Sequence, residues 1–202
     1  MNATTRTLSL QGHAGHIEAL LDEPTEGEAK GTAVIAHPHP LFGGTMQNKV
    51  VQTLARAFVQ SGWRAVRFNF RGVGASEGTY DEGRGEAIDM QQLIMQVAPE
   101  GPLALAGFSF GAFVTSLVVQ ALVDQRPPHH LVLVGTAASR FAVAPVATDL
   151  HERCLVVHGE QDDTVPLASV MDWARPQSLP ITVIPGCEHF FHGQLPLLKS
   201  LV

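Results

Sequence analysis

The chain has 202 residues, a length that suits one α/β domain burying roughly 70% of the surface of its unfolded state. Hydrophobic residues make up 45% of the sequence and charged residues 16%, a globular rather than a disordered composition. The net charge of −6 argues against a nucleic-acid partner, because no basic stripe is present to neutralise phosphates. No apolar run approaches the roughly 20 residues that span a bilayer, so we expect no membrane partner.

The N-terminal segment 1–16 does not have the basic start and apolar run of a signal peptide. Two cysteines, Cys154 and Cys187, are too few for a disulfide framework. We therefore expect a cytoplasmic protein with reduced thiols. No repeat or linker divides the sequence, and we interpret residues 1–202 as a single domain.

Short apolar runs alternate with segments of helical periodicity. The opening segments 6–10 and 16–21 are predicted to pair as antiparallel strands at one sheet edge. Later runs have consecutive apolar residues, typical of strands covered on both faces, and lie at 32–36, 65–70, 103–106, 131–134, 154–157 and 181–184. Between them, apolar stripes predict three helices, which begin near Val50, Ala87 and Val114 and end before Gly62, Pro99 and Pro127.

This alternation predicts an α/β fold with a mostly parallel central sheet and helices on both faces. Ligands of such sheets bind at the carboxyl ends of the strands, so the loops there carry the functional information. The segment 135–153 between two of the predicted strands has room for a loop and one short helix. We therefore expect an open site that suits small acyl groups.

The pattern G-x-S-x-G occurs twice, around Ser76 and around Ser109. A nucleophile elbow needs a buried strand directly before the serine and a helix directly after it. Ser109 has both, whereas Ser76 lies in a glycine-rich loop. We therefore predict that Ser109 is a catalytic nucleophile and that Ser76 is a turn or cap residue. The N–H of Phe110, at the start of the following helix, is predicted to bind the oxyanion of a tetrahedral intermediate.

A serine nucleophile needs an imidazole that accepts its proton and a carboxylate that orients the imidazole. His189 follows the last predicted strand and is the preferred base, with His192 as its alternative. Asp162 follows the preceding strand and is the preferred acid, with the adjacent Asp163 left open. The resulting chain order, Ser then Asp then His, is that of the α/β-hydrolases.

Five segments together carry a family resemblance: HPHPLFGGTM at 37–46, RFNFRG at 67–72, GFSFG at 107–111, HG…D…VP at 158–166 and G…HFF at 186–191. Through them the chain resembles the α/β-hydrolase superfamily along nearly its whole length, and within it small lidless proteins similar to dienelactone hydrolases. Dienelactone hydrolases have a cysteine at the position of Ser109, so their particular activity is not implied. The resemblance implies the α/β-hydrolase fold without a lid. We expect neither a cofactor nor a metal.

The resemblance also implies that a second oxyanion donor comes from the loop after the third strand, here His37–Gly44. Pro38 and Pro40 have no N–H to donate, which leaves His39, the preferred donor, or Leu41. Arg71 after the fourth strand is expected to link loops, or alternatively to contact a substrate carboxylate.

Together these residues predict a serine hydrolase that forms an acyl-enzyme on a small carboxylester or thioester, with water as the second substrate. Two other functions stay open at this point. The chain could be a metal-dependent hydrolase whose ligands are the pairs His37/His39 and His189/His192. It could also be a binding protein that uses the α/β-hydrolase fold without catalysis.

Overall fold

An eight-stranded sheet forms the centre of the structure, a computed structural model that describes residues 4–202. Residues 1–3 lie outside the described part. The predictions for the N-terminal segment 1–16 and for a single domain 1–202 include these three residues, so both fall partly outside the described structure. The strands are β1 (Thr4–Gly12), β2 (Gly15–Glu23), β3 (Thr32–Ala36), β4 (Arg64–Phe68), β5 (Leu103–Phe108), β6 (His130–Val134), β7 (Cys154–Gly159) and β8 (Thr182–Ile184).

The strand order is β1-β2-β4-β3-β5-β6-β7-β8. The strands from β4 to β8 pair in parallel, and β1 and β2 form an antiparallel hairpin added at the β4 edge. The carboxyl ends of the six parallel strands therefore meet at one edge of the sheet, as predicted from the alternation of elements.

Helices cover both faces of the sheet: α1 (Lys49–Gln60), α2 (Arg84–Val97), α3 (Phe110–Leu122), α4 (Leu167–Ala174) and α5 (Leu195–Leu201). Successive side chains of a strand point to opposite faces, and β3 shows the resulting division of the core. Val34 and Ala36 pack in the core beneath α2, α3 and α4, whereas Ala33 and Ile35 pack in the core beneath α1 and α5.

The predicted strands and the first three helices are confirmed to within a few residues. The predicted strand 65–70 is too long at its end, because β4 stops at Phe68. The N–H of Phe70 turns out of the ladder and donates to Nε2 of His37 at 3.0 Å. The short helices α4 and α5 were not predicted, since eight and seven residues are too few to show a helical period.

Two polar residues of the loop after β4 have structural partners. The Ser76 hydroxyl donates to the carbonyl of Asn69 at 2.8 Å and accepts from the N–H of Glu18 at 3.0 Å, which fixes the loop against β2. Arg71 forms a buried ion pair with Asp89 of α2, with 2.8 Å between Nε and Oδ2. Ser76 therefore holds a turn as expected, and Arg71 links the loop to α2.

Within residues 4–202, none of the helices has both the length and the apolar character needed to cross a bilayer.

Candidate active site

Ser109 lies at a strained turn between β5 and α3. Its φ of 57° and ψ of −117° are rarely adopted by a residue with a side chain, so the surrounding structure must hold it there. The flanking glycines are needed because the backbone is crowded on both sides. A Cβ on Gly107 would overlap the backbone of Gly111, and a Cβ on Gly111 would overlap the carbonyls of Ala36 and His37.

Ser109, His189 and Asp162 form a continuous hydrogen-bonded chain of side chains. His189 Nε2 lies 3.0 Å from the Ser109 hydroxyl, and His189 Nδ1 lies 2.6 Å from Asp162 Oδ2. All three residues are buried, with exposed fractions of 8%, 2% and 5% respectively. Because Asp162 can only accept a hydrogen bond when ionised, His189 carries its proton on Nδ1 and presents the Nε2 lone pair to the serine.

The two adjacent aspartates have different environments. Oδ1 of Asp162 accepts hydrogen bonds from the N–H groups of Thr164 at 3.0 Å and Val165 at 2.7 Å, which leaves Oδ2 for His189. Asp163 is exposed, and in the described structure its carboxylate accepts a hydrogen bond only from the hydroxyl of Thr164. The backbone of this turn therefore selects Asp162 as the partner of the imidazole.

A second buried histidine lies behind the carboxylate. His158 Nε2 donates to the carbonyl of Val165 at 2.9 Å and lies 3.4 Å from Asp162 Oδ2. Burial lowers the pKa of His158, so this ring is neutral and adds no competing charge beside Asp162. It supports the turn that presents the carboxylate, a role that the sequence analysis did not predict.

The imidazole of His189 is enclosed by aromatic rings and by one glycine. Its ring centre lies 5.0 Å from that of Phe108 and 5.1 Å from that of Phe190. A Cβ on Gly135 would come within 3.2 Å of the ring, so this glycine leaves the space that the imidazole occupies. The alternative base, His192, is exposed and paired with Glu188 at 3.0 Å, away from the serine.

Two residues that line the pocket with Ser109 have backbone N–H groups without a protein acceptor in the described structure. Within residues 4–202, the N–H groups of Phe110 and His39 donate to no other protein group. The N–H of Leu41 is engaged, because it donates to Nδ1 of the His39 ring at 3.2 Å. Nε2 of the same ring lies 3.3 Å from the hydroxyl of Tyr80. Of the two candidates for a second oxyanion donor, His39 has the free N–H.

His37 fastens the loop that carries this N–H. Its Nδ1 donates to the carbonyl of Pro38 at 2.6 Å, and its Nε2 accepts the N–H of Phe70 at 3.0 Å. Burial lowers the pKa of His37 to about 4, so the ring is neutral at pH 7.

Both ring nitrogens of His37 and both of His189 are engaged by protein groups, and neither predicted pair of histidines converges on a metal position. No cluster of three or more metal-binding side chains occurs in the described part of the chain.

A pocket of about 380 Å³ opens directly over the serine. Its floor is formed by Ser109, Phe110 and His189, and its walls come from the loops after β3, β6, β7 and β8. The wall residues are Pro38, His39, Phe42, Gly43, Gly44, Asn48, Ala137, Arg140, Phe141, Thr164, Val165 and Phe190. The sequence analysis did not identify Arg140 and Phe141, although their position after β6 at the carboxyl edge of the sheet would have indicated them.

The fold, with a serine at the elbow after β5, defines an α/β serine hydrolase. Residues 16–143 match the family described as X-Pro dipeptidyl-peptidase (S15 family). The chain is also 31% identical to the uncharacterized protein RP471 of Rickettsia prowazekii, over 89% of this chain and 79% of that protein. The chain therefore belongs to the S15 family within the α/β-hydrolase superfamily.

Two solved structures resemble the fold over nearly the whole chain. XC6422 from Xanthomonas campestris, described as an α/β serine hydrolase without a lid, is 34% identical with a TM-score of 0.87, over 99% of this chain and 92% of that one. An α/β serine hydrolase homologue from Coxiella burnetii is 38% identical with a TM-score of 0.81, over 97% and 94% of the two chains.

Proposed function

We propose that this protein hydrolyses a small carboxylester or thioester through an acyl-enzyme, with Ser109 as nucleophile, His189 as base and Asp162 as orienting acid. The observation that carries the proposal is the chain of hydrogen bonds from Ser109 through His189 to Asp162, at 3.0 Å and 2.6 Å. Separations of this size allow the imidazole to take the serine proton without a change of backbone.

In the first half of the reaction, His189 Nε2 takes the proton of Ser109 as the oxygen attacks the substrate carbonyl carbon. The carbonyl oxygen becomes an oxyanion, and the N–H groups of Phe110 and His39 donate to it. The tetrahedral intermediate collapses, the bond from carbon to the leaving oxygen or sulfur breaks, and His189 gives its proton to the leaving group.

In the second half, His189 removes a proton from water, and the resulting hydroxide attacks the acyl carbon. Collapse of the second intermediate releases the carboxylic acid and returns the proton to Ser109. Asp162 stays ionised throughout and stabilises the imidazolium that forms in each half.

The walls of the pocket favour an ester over a peptide as substrate. A dipeptidyl-peptidase releases the first two residues of a peptide, whose terminal ammonium needs an anionic partner. No aspartate or glutamate lines the described pocket, and most of its surface is apolar. Activated esters and thioesters require no such partner.

The test is a comparison of the wild-type protein with Ser109→Ala on p-nitrophenyl and coenzyme A esters of increasing acyl length. We expect turnover to fall by about 10⁴-fold or more in the variant, without a change in thermal midpoint. A fluorophosphonate probe should label the wild-type protein and not the variant. A near-normal rate in Ser109→Ala would overturn the proposal. Failure of the folded wild-type protein to react with the probe would instead favour a binding protein.

We also propose a cytoplasmic location, supported by the free thiols of Cys154 and Cys187. Burial raises the pKa of Cys154 to about 12 and that of Cys187 to about 11, so both thiols are protonated and unreactive at pH 7. Fractionation of cells that express the tagged chain tests this location, and recovery in a secreted fraction would contradict it.

A further inference from the structure

Arg140 lies on a tight turn that follows β6 and forms one wall of the pocket. The N–H groups of Arg140 and Phe141 both donate to the carbonyl of Ala137, at 3.1 Å each. The Phe141 ring stacks on Phe113 of α3, with 4.7 Å between ring centres and 12° between the planes. The backbone of the turn is therefore anchored around Arg140, which lines the same pocket as Ser109.

The charge of Arg140 has no protein counterpart. Arg67 and Arg71 are neutralised by buried ion pairs with Asp22 and Asp89, at 2.8 Å each. Arg140 forms no ion pair with any residue of 4–202, and its side chain is exposed.

The positive charge of Arg140 acts on His39, which belongs to the loop His37–Gly44 on the pocket wall. Burial, together with the positive charge of Arg140, lowers the pKa of the His39 side chain. The lining includes no other arginine or lysine and no carboxylate. In the described structure, a substrate in this pocket thus meets one permanent cation against aromatic walls.

We infer that Arg140 selects substrates that carry a carboxylate close to the scissile ester. This inference rests on the proposed function and specifies its substrate class. A guanidinium offers two parallel N–H donors that match the two oxygens of a carboxylate. One arginine balances one negative charge, which favours a carboxylate over a dianionic phosphate in a chain whose net charge is −6.

The carboxylate can belong to the acyl group or to the leaving group, and two pairs of esters distinguish these cases. The first pair is the p-nitrophenyl monoester of adipic acid and its neutral methyl ester. The second pair is p-acetoxybenzoate and its neutral methyl ester. The members of each pair differ in one charge at the same distance from the reacting carbonyl, and Ser109→Ala gives the background rate for all four.

In at least one pair, we expect the anionic ester to have a kcat/KM about tenfold above that of the neutral ester at low salt. Arg140→Gln should lose this preference by slowing only the anionic ester. Added salt should also reduce the preference, because the pair is exposed to solvent. Arg56→Gln is the matched control, since it removes the same charge from an exposed position on α1 outside the pocket.

Equal rates for charged and neutral esters in both pairs would overturn the assignment of Arg140, as would equal losses on both esters in Arg140→Gln. Labelling of Ser109 by a fluorophosphonate separates that failure from a failure of the proposed function. If Ser109 is labelled and the preference is absent, only the role of Arg140 is wrong. If Ser109 is not labelled and none of the esters is hydrolysed, both proposals are wrong.

Discussion

Acidification should destabilise this protein through His37. The pKa of the buried ring is about 4 in the folded state and 6.5 when the ring is exposed on unfolding. Because the folded pKa is the lower one, the unfolded state takes up protons first, and folding stability is lost as the pH falls from 6.5 towards 4. A shift of this size corresponds to a total loss of about 3 kcal/mol, of which about 2.5 kcal/mol is reached at about pH 4.5.

The assay is urea denaturation of the wild-type protein and of His37→Gln between about pH 7 and pH 4.5. Glutamine keeps one donor and one acceptor for the carbonyl of Pro38 and the N–H of Phe70, but it does not titrate. The variant should be less stable than the wild type near pH 7, and the difference should shrink by about 2.5 kcal/mol at pH 4.5. His158, whose pKa is lowered by burial, has the same sign and is present in both proteins, so its contribution cancels. A difference that stays constant with pH would refute the reasoning.

The other predictions concern single contacts of the site. Asp162→Asn should lower kcat on a p-nitrophenyl ester by about 10⁴-fold, because the imidazole loses the partner that fixes its tautomer, whereas Asp163→Asn should change it less than about twofold. Gly107→Ala should lower the free energy of unfolding by at least about 2 kcal/mol in urea denaturation, because its Cβ would overlap backbone rather than a flexible side chain. Tyr80→Phe should lower kcat by about threefold with little change in KM, because the His39 ring loses one of its two hydrogen bonds.

Each of these expectations has an outcome that contradicts it. Equal losses in the two aspartate variants would mean that the turn does not distinguish the carboxylates. An unchanged urea midpoint for Gly107→Ala would show that the elbow can relax around a methyl group. A higher KM with unchanged kcat for Tyr80→Phe would assign Tyr80 to substrate binding instead of to the positioning of the loop.

The sequence was sufficient to predict the fold and the residues that meet at the site, for a geometric reason. Ser109, Asp162 and His189 each follow a strand, and the carboxyl ends of parallel strands share one edge of a sheet. The choice between Asp162 and Asp163 could not be settled in the same way. The choice depends on which carboxylate accepts hydrogen bonds from the N–H groups of Thr164 and Val165, and this is a property of the folded turn.

The remaining features of the site depend on contacts between distant segments. His37 was considered as a metal ligand, because its neighbours in sequence do not show that Phe70 brings a backbone N–H to its ring. The engagement of the Leu41 N–H likewise follows from the orientation of the His39 ring. Arg140 lies in an irregular segment without periodicity, and only its place after β6 distinguishes it from other surface arginines.

The close approach of Gly111 to the carbonyls of Ala36 and His37 has a consequence for the evolution and redesign of this protein. It seats the helix that follows the nucleophile against the base of the loop that bears the His39 N–H, backbone against backbone. This backbone contact helps to fix the relative position of the two amides, in addition to the side-chain hydrogen bonds of His37 and His39. Exchange of Arg140, which lies on the pocket wall and forms no ion pair within residues 4–202, can alter substrate range while the reacting groups keep their alignment. New specificities are therefore accessible by mutating this part of the pocket wall.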